Sequence, residues 1–474
     1  MTGKWKQLTH QPAFNASTML LLTSGEVMCQ DAGAAVGSRH WWKLTPDVFG
    51  SYVKGTWSQL ADGPTSPQFY ASAVLRDGRV FVAGGEYNGS VAVADLLAAQ
   101  IYDPLTDVWT KLPMPPAAGW IAIGDASCCV LPDGQVLIGS IADARCAIYD
   151  PVANAWNAAA SKGNATTNEE TWTLLPDETV LSADCFGHPA TEKYVIAADK
   201  WVSAGSTPPG GDLVEDASKE IGPALLLPDG RLFAVGTTGH TALYSMPPIA
   251  SQPGSWTKGP DFPKIGGKTL GAKDAPGCLL PNGRVLCVAA VVDGNKDTWS
   301  APTYFFEFDP VTSKLKAVSN PANNGNPPYF GRMLLLPTGQ VLFANGSHDI
   351  RIYTPKGGPD PWWRPNITHC STQLKRHHTY TVHGRQLNGL SQAVSYGDDA
   401  TMATNYPLVR IRHRHSKKLH YCRTHNHSTM GLQTGTVIHS TQFTVPAGVS
   451  LGHSELYVVA NGIASEGLRV RVHH

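Results

Sequence analysis

Apolar residues recur along this chain as pairs of short runs that are joined by a tight polar turn. The runs are rich in Val, Leu and Phe and are too short for an ordinary helix, so each pair predicts two antiparallel strands. Turns of the Pro-Asp-Gly type favour an abrupt reversal of the chain. Glu178 replaces the glycine in the fourth copy and predicts a less regular turn there. The seven turn residues are Gly25, Gly78, Gly134, Glu178, Gly230, Gly283 and Gly339.

A repeat of this length that contains only strands and turns predicts an all-β fold, namely a β-propeller of seven blades. Trp57, Trp109, Trp156, Trp201 and Trp256 recur before successive copies and are interpreted as packing residues between blades. The segment WKQL (5–8) has no copy of its own. It predicts a strand that pairs with the last blade near residues 340–355 and closes the ring, which removes the free sheet edges.

A second domain is expected after the Pro/Gly/Trp stretch at 355–368, where the pattern changes. The propeller is assigned to residues 1–363, and residues 364–474 predict an immunoglobulin-like β-sandwich of about seven short strands. Those strands include HTYTVHG, AVSYG, LVRIRH and ELYVVANG. This second domain also holds most of the histidines.

Charge and composition narrow the classes of partner. Lys+Arg and Asp+Glu both number 37, so no overall field favours nucleic acid. No apolar stretch is long enough to span a bilayer, and no signal peptide follows Met1. The chain as written is expected to be cytoplasmic, or secreted if a leader was removed, and to be a monomer. The nine cysteines show no CxxC spacing and predict buried, reduced thiols.

Several phrases resemble the galactose oxidase and glyoxal oxidase family of copper radical enzymes. YFGRMLLLPTGQVLF (329–343) is similar to the family's Tyr-His-Ser-x-x-x-Leu-Leu-Pro-Asp-Gly segment, and GGEYNG (84–89) to its Gly-Gly-Ser-Trp-Ser-Gly. CRTHNHST (422–429) and SELYVVANGIAS (454–465) resemble the closing domain of that family. The resemblance covers nearly the whole chain and implies a loop of the second domain that carries a histidine into the propeller channel.

The same resemblance predicts that the copper chemistry is lost. The family needs a Tyr and two His on copper and a second Tyr that is cross-linked to a Cys. Tyr329 and His425 match one Tyr and one His, but Phe330 replaces the other His and Phe69 replaces the cross-linked Tyr. Tyr87 stands in place of the stacking Trp, and no Cys lies near residues 14–16. One Tyr and one His are too few ligands for Cu(II).

Carboxylates occupy the equivalent position of the repeat. Asp125, Glu169 and Asp274 lie nine residues before their turn residue, and Glu220 lies ten before its own. Four consecutive copies therefore place an acid at the same mouth of the expected channel, with Glu86 and Arg332 close by in the repeat. These acids either cap strand starts or form a functional acidic pocket, in which a cation, a shared proton or Arg332 must offset the crowded charge.

Three functional readings follow from these residues. The first is a pocket of Asp125, Glu169, Glu220, Asp274, Tyr329, Arg332 and His425, with Glu86, Tyr87, Phe69 and Phe330 as further ligand contacts. It would bind or act on a polar small molecule or carbohydrate, with a divalent cation such as calcium as a candidate cofactor. The second is a binding module without turnover. The third is a copper oxidase with altered ligands.

Overall fold

Strands account for nearly all the regular structure of this protein. The computed structural model describes residues 3–33, 37–89, 97–113, 119–163, 166–215, 217, 219–294, 298–396 and 402–474. Three 3-10 turns lie wholly within these ranges, and none of the helices among the described residues is long and apolar enough to cross a membrane. The predicted all-β class is correct. The 3-10 turns are Ile196–Ala198, Pro328–Phe330 and Pro361–Trp363.

The first three of seven antiparallel sheets, numbered 1 to 7 in the order of their turn residues, follow one another along the chain. Each has four strands in sequential order. Sheet 1 contains Ala16–Leu21, Val27–Asp31, Trp41–Thr45 and Thr56–Gln59. Sheet 2 contains Ala71–Val74, Val80–Ala83, Ala99–Asp103 and Val108–Lys111. Sheet 3 contains Cys128–Val130, Val136–Ser140, Asp143–Asp150 and Ala155–Ala159.

The remaining four sheets continue the same order. Sheet 4 contains Thr171–Leu174, Thr179–Ala183, Ala190–Val195 and Lys200–Ser206. Sheet 5 contains Ala224–Leu226, Leu232–Val235, Thr241–Ser245 and Ser255–Lys258. Sheet 6 contains Pro276–Leu279, Val285–Val291, Tyr304–Asp309 and Lys314–Ala317. Sheet 7 contains Arg332–Leu335, Val341–Ala344, Arg351–Thr354 and, from the N terminus, Lys4–Gln7.

The seven sheets close into a ring. The first strands of successive sheets contact one another, and the first strand of sheet 7 contacts those of sheets 6 and 1. The N-terminal strand Lys4–Gln7 pairs with Arg351–Thr354, which is the strand pair expected from the sequence. Short pairs lie outside the four-stranded sheets: Pro67–Gln68 with Tyr87–Asn88, and Leu270–Gly271 with Val285–Val291.

The recurring tryptophans fasten neighbouring sheets together. The indole Nε1 of Trp109 donates to the carbonyl of Ala61, and that of Trp201 donates to the carbonyl of Ala160. Each of these carbonyls lies just after the last strand of the preceding sheet. Trp57 and Trp156 likewise donate to backbone carbonyls, whereas Trp256 Nε1 donates to the hydroxyl of Thr191 in sheet 4 at 3.0 Å. Each indole also packs beside a buried aromatic side chain of its own or an adjacent sheet. The repetition of the tryptophans therefore reflects packing.

The turn at Glu178 is as regular as the others, which corrects the expectation from the sequence. Its amide donates to Leu175 O at 3.1 Å, as the amide of Gly25 donates to Leu22 O at 2.8 Å. Glu178 accepts the left-handed conformation with φ 58°. A side chain in that conformation costs about 1 kcal/mol, which the surrounding strand pairing offsets.

The C-terminal part forms two further sheets over a shared apolar core that includes Val382, Val409 and Phe443. The first sheet contains Asn366–His369, Thr379–Arg385, Ile438–Thr444 and Thr424–His425. The second contains Gln373–Lys375, Leu468–His473, Gly452–Ala460, Leu408–His413 and Leu419–Cys422, with Ile463–Ala464 paired to Gly452–Ala460.

One predicted sandwich strand belongs to the ring instead. AVSYG was assigned to the second domain, but Val394–Tyr396 pairs with Pro276–Leu279 and extends sheet 6 inside the ring. This strand also contacts the first strands of sheets 5 and 7. It therefore fills the centre of the ring with residues that come from the C-terminal part of the chain.

The C-terminal sheets cover the end of the ring that carries the tight turns. Arg423 Nη2 donates to Asp77 O at 2.6 Å, and the amide of Met430 donates to Pro132 O at 2.8 Å. Gln433 Nε2 donates to Leu227 O at 2.8 Å. These contacts involve the turns of sheets 2, 3 and 5, so the C-terminal sheets dock on the turn end of the ring.

Candidate functional site

A cavity of about 720 Å³ lies at the end of the ring opposite the tight turns, where the first strands of the sheets begin. Nine of the eleven residues that the sequence singled out line it, and two do not. Its lining consists of Asn15, Ala32, Gly33, Gln68, Phe69, Glu86, Tyr87, Asp125, Glu169, Glu220, Asp274, Thr298, Tyr329, Phe330, Gly346 and Tyr396.

Five carboxylates contributed by sheets 2 to 6 form one side of this cavity. They are Glu86, Asp125, Glu169, Glu220 and Asp274, and they will be called the acid arc. Asp125 is buried, with 5% of its surface exposed, whereas Glu86 is exposed. No Lys, Arg or His of the described residues lines the same cavity. The acid arc therefore supplies the carboxyl groups of the cavity lining.

Local backbone conformation turns the equivalent residues of the repeat toward the cavity. Phe69, Glu169 and Asp274 share the left-handed conformation, with φ of 51°, 58° and 44°. Backbone hydrogen bonds connect adjacent loops, from the amide of Asp274 to Ile221 O at 3.2 Å and from the amide of Glu86 to Phe69 O at 2.9 Å. Non-glycine residues hold such conformations only where the surrounding structure fixes them.

Four aromatic rings line the same cavity and adjoin the acid arc at Glu86. The centroid of Tyr329 lies 4.2 Å from that of Phe330 and 6.1 Å from that of Phe69, which in turn lies 6.4 Å from Tyr87. We call these four residues the aromatic wall. A hydrogen bond to Glu86, together with burial and the nearby charges, raises the pKa of Tyr87 to about 12. Burial likewise raises the pKa of Tyr329, so both phenols are neutral donors at neutral pH.

Arg332 lies beneath the aromatic wall and does not face the acid arc, which corrects its expected role as a lining residue. It is 2% exposed, and its Nη1 donates to Tyr329 O at 2.7 Å and to Gly331 O at 2.8 Å. Its guanidinium stacks 3.7 Å from the ring of Tyr396 and 5.7 Å from that of Phe69. Those aromatic faces and carbonyls hold it below the floor of the cavity.

The prediction that His425 enters the cavity is wrong. His425 pairs with Gln442 in the first C-terminal sheet, and its Nε2 lies 3.4 Å from Thr444 Oγ1. Burial and the adjacent Arg423 lower its pKa. Arg423 binds the turn at Asp77, so His425 lies at the turn end of the ring, away from the acid arc. The phrase CRTHNHST docks the C-terminal sheets on the ring and does not reach its interior.

Among the described residues of the C-terminal part, Tyr396 lines the cavity, and nothing in the sequence pattern singled it out. It is 3% exposed, and its hydroxyl donates to Tyr329 O at 2.6 Å. It ends the strand that runs through the ring. The length of the connection could have indicated this excursion. The 22 residues between the strands Thr379–Arg385 and Leu408–His413 are too many for an ordinary hairpin connection.

A buried ionic cluster supports the acid arc at Glu169. The next residue, Glu170, binds Lys162 Nζ and accepts a hydrogen bond from Trp172 Nε1 at 2.6 Å. Lys162 Nζ also lies 3.2 Å from Asp184 Oδ2, and none of these three ionic side chains is more than 1% exposed. Burial raises the pKa of Glu170 to about 7 even though the Lys162 charge opposes that shift.

The residues present do not fit a copper radical site. All histidines and cysteines of the sequence fall in the described ranges, and none of them lines the cavity. Within the same part of the chain, no three His, Cys, Asp or Glu side chains are grouped so that they could hold a metal ion. The described lining supplies oxygen donors and no imidazole nitrogen, whereas the copper radical family needs two histidines on the metal.

Comparison with known proteins shows the fold. The chain is similar over its whole length to a solved structure described as "Novel fungal alcohol oxidase with catalytic diversity among the AA5 family, in complex with copper". The match has a TM-score of 0.56 and 14% sequence identity, and covers 100% of this chain and 99% of that chain. No family model matches the sequence, and no curated protein matches it either.

Proposed function

We propose that this chain is a galactose-oxidase-like protein that has lost the copper radical site and binds a polar small molecule or carbohydrate in its central cavity. In this proposal the seven sheets, within residues 1–363, are the blades of a β-propeller, and residues 364–474 form an immunoglobulin-like domain. The closed order of the sheets and the two-layer C-terminal core support that division.

The lining of the cavity is the observation that carries the proposal. Five carboxylates and four aromatic rings line a cavity of about 720 Å³, which is the size of ordinary small-molecule sites. Carboxylates accept hydrogen bonds from hydroxyl and ammonium groups, and aromatic faces bind apolar sugar faces or cations. A ligand that carries both hydroxyl and amino groups fits best, because carboxylates accept hydrogen bonds from both groups and attract an ammonium.

The acid arc also permits acid–base chemistry on the bound molecule. Asp125 is buried and Glu86 is exposed, so the two carboxyls lie in different environments within one cavity. Such differences separate a proton donor from a proton acceptor in hydrolytic sites. A hydrolase or lyase is therefore the enzyme class that these residues support, and a binding module is the alternative without turnover.

Metal content and peroxide production test the loss of copper chemistry. The protein is purified without added metal, loaded with Cu(II), desalted and analysed for bound metal. It is then assayed for hydrogen peroxide with D-galactose and methylglyoxal. We expect substoichiometric copper and no peroxide above the rate of free copper. One copper per chain, with peroxide production that is lost on Tyr329→Phe, would overturn this part of the proposal.

Binding of matched sugars tests the cavity itself. Calorimetry with D-glucosamine, D-glucose and D-galactose is expected to show tighter binding of the amine. Glu169→Gln should weaken D-glucosamine binding about fivefold, the factor that one lost hydrogen bond supplies. Glu466→Gln is the control, since that carboxylate is 93% exposed and far from the ring interior. Equal weakening by both variants, or no binding of any probe, would count against the cavity as a binding site for sugars.

A further inference from the structure

One backbone carbonyl in the aromatic wall receives two side-chain hydrogen bonds. Tyr329 O accepts from Arg332 Nη1 at 2.7 Å and from the Tyr396 hydroxyl at 2.6 Å. Arg332 also donates to Gly331 O at 2.8 Å. Tyr329 lies in the 3-10 turn Pro328–Phe330, and Gly331 is the residue after that turn. A single turn has few internal hydrogen bonds, so these external donors determine where it lies.

Stacking fixes the guanidinium that makes these hydrogen bonds. Arg332 lies 3.7 Å from the ring of Tyr396 and 5.7 Å from the ring of Phe69. A planar guanidinium donates in its plane while its faces contact aromatic rings, which an ammonium group cannot do in the same geometry. Arg332 thus connects one ring of the aromatic wall with the residue that comes from the C-terminal part.

Strand pairing fixes the other donor. Tyr396 pairs opposite Pro276 in sheet 6, and Val394 pairs opposite Cys278. Asp274, a member of the acid arc, precedes that inner strand by two residues. The position of Tyr396 is therefore set by the strand that also positions Asp274, and its hydroxyl reaches across to Tyr329 on the next sheet.

We infer that Tyr396 and Arg332 are positioning residues that hold Tyr329 and Phe330 in the cavity wall at a fixed distance from the acid arc. The inference rests on the proposed ligand cavity and deepens it. It assigns the ligand-contact geometry to a residue of the C-terminal part, so the two parts of the chain build the site together. Tyr329 then presents a neutral phenol to a ligand that also contacts the carboxylates.

A pair of matched tyrosine variants tests this role. Tyr396→Phe keeps the ring that stacks on Arg332 and removes the hydroxyl that binds Tyr329 O. Tyr406→Phe is the control. Tyr406 is also buried, lies in the same connection between the strands Thr379–Arg385 and Leu408–His413, and donates its hydroxyl to the backbone carbonyl of Leu21 in sheet 1. Leu21 precedes the tight turn at Gly25, at the end of the ring away from the cavity.

Hydrogen–deuterium exchange gives a readout that needs no ligand. The amides of Phe330 and Gly331 donate to Pro327 O and Pro328 O within the turn. Tyr396→Phe should speed their exchange about fivefold, the factor for one ordinary hydrogen bond, and Tyr406→Phe should leave it unchanged. Arg332→Lys should speed the exchange of these amides further, because it removes the planar guanidinium that donates to the two carbonyls and stacks on Tyr396. Equal exchange of these amides in the wild type and Tyr396→Phe would overturn the inference.

Affinity for D-glucosamine then links the turn to the cavity. We expect Tyr396→Phe to weaken binding about threefold to fivefold, with Tyr406→Phe equal to the wild type. Unchanged affinity in Tyr396→Phe despite faster exchange would refute the role in ligand positioning. If the wild type binds no probe, the proposed function fails, whereas the exchange experiment still decides whether Tyr396 and Arg332 fix the turn.

Discussion

Replacing Lys162 by methionine should destabilise the protein strongly, because it leaves two carboxylates buried without their cation. Lys162 Nζ binds Glu170 and lies 3.2 Å from Asp184 Oδ2, and the lysine side chain is completely buried. Breaking a buried ion pair by removing one partner costs about 3–5 kcal/mol. For 474 residues the unfolding entropy is roughly 1 kcal/mol per kelvin, so the melting temperature should fall by about 4 °C.

The loss of stability in Lys162→Met should increase as the pH rises. Burial raises the pKa of Glu170 to about 7, from 4.5 for the free group. A carboxyl with a raised folded-state pKa contributes stability that is present below its unfolded pKa and is lost as the pH rises through the folded one. Without Lys162 the pKa rises further. The variant should therefore lose little at pH 5 and most at pH 8.

The matched control is the same substitution at a second buried lysine, Lys193 in the third strand of sheet 4. Lys193 is fully buried, and within the described residues its Nζ has no hydrogen-bond partner. Burial lowers its pKa, so Lys193→Met removes a desolvation penalty and should leave stability unchanged or raised.

Scanning calorimetry of both variants at pH 5, 7 and 8 measures these effects. The double variant with Lys162→Met and Glu170→Gln should recover more than half of the loss at pH 8, since the amide oxygen can still accept from Trp172. Equal losses for the two lysine variants, or a Lys162→Met deficit that does not vary with pH, would refute the assignment of Lys162 as the counterion of this cluster.

Three further predictions concern single side chains. Glu86→Gln should lower the pKa of Tyr87 from about 12 toward its usual 10, because the hydrogen bond to Glu86 is the main cause of the shift. Absorbance titration at 295 nm should show this change, with Tyr87→Phe to identify the signal of Tyr87. An unchanged titration in Glu86→Gln would contradict the prediction. His425→Ala should leave D-glucosamine affinity within twofold by calorimetry, and a larger loss would return His425 to the cavity. Trp5→Ala should cost about 3 kcal/mol and lower the melting temperature by about 3 °C, since Trp5 packs on sheets 6 and 7 at the ring closure; an unchanged melt would argue against that closure.

The sequence determined the all-β class and the phase of the repeat. Each tight turn fixes the register of its strand pair locally, so residues at a constant distance before the turn must emerge at the same end of their sheets. Asp125, Glu169 and Asp274 share that distance and line one cavity. Glu220 lies one position earlier and still reaches it, because the loop before the strand, and not the strand itself, carries these side chains.

The tertiary structure alone decided which residues meet these carboxylates. Arg332 lies only two residues after Phe330, but its guanidinium folds under the wall, where aromatic faces and backbone carbonyls receive it. His425 matched a motif and docks on the turns, whereas Tyr396, in a segment that reads as an ordinary strand, runs through the ring. A period-two pattern states that a strand has a buried face, but it does not state which sheet buries that face. Contacts between residues as distant as Tyr396 and Pro276 depend on how the whole chain packs, and local sequence does not encode them.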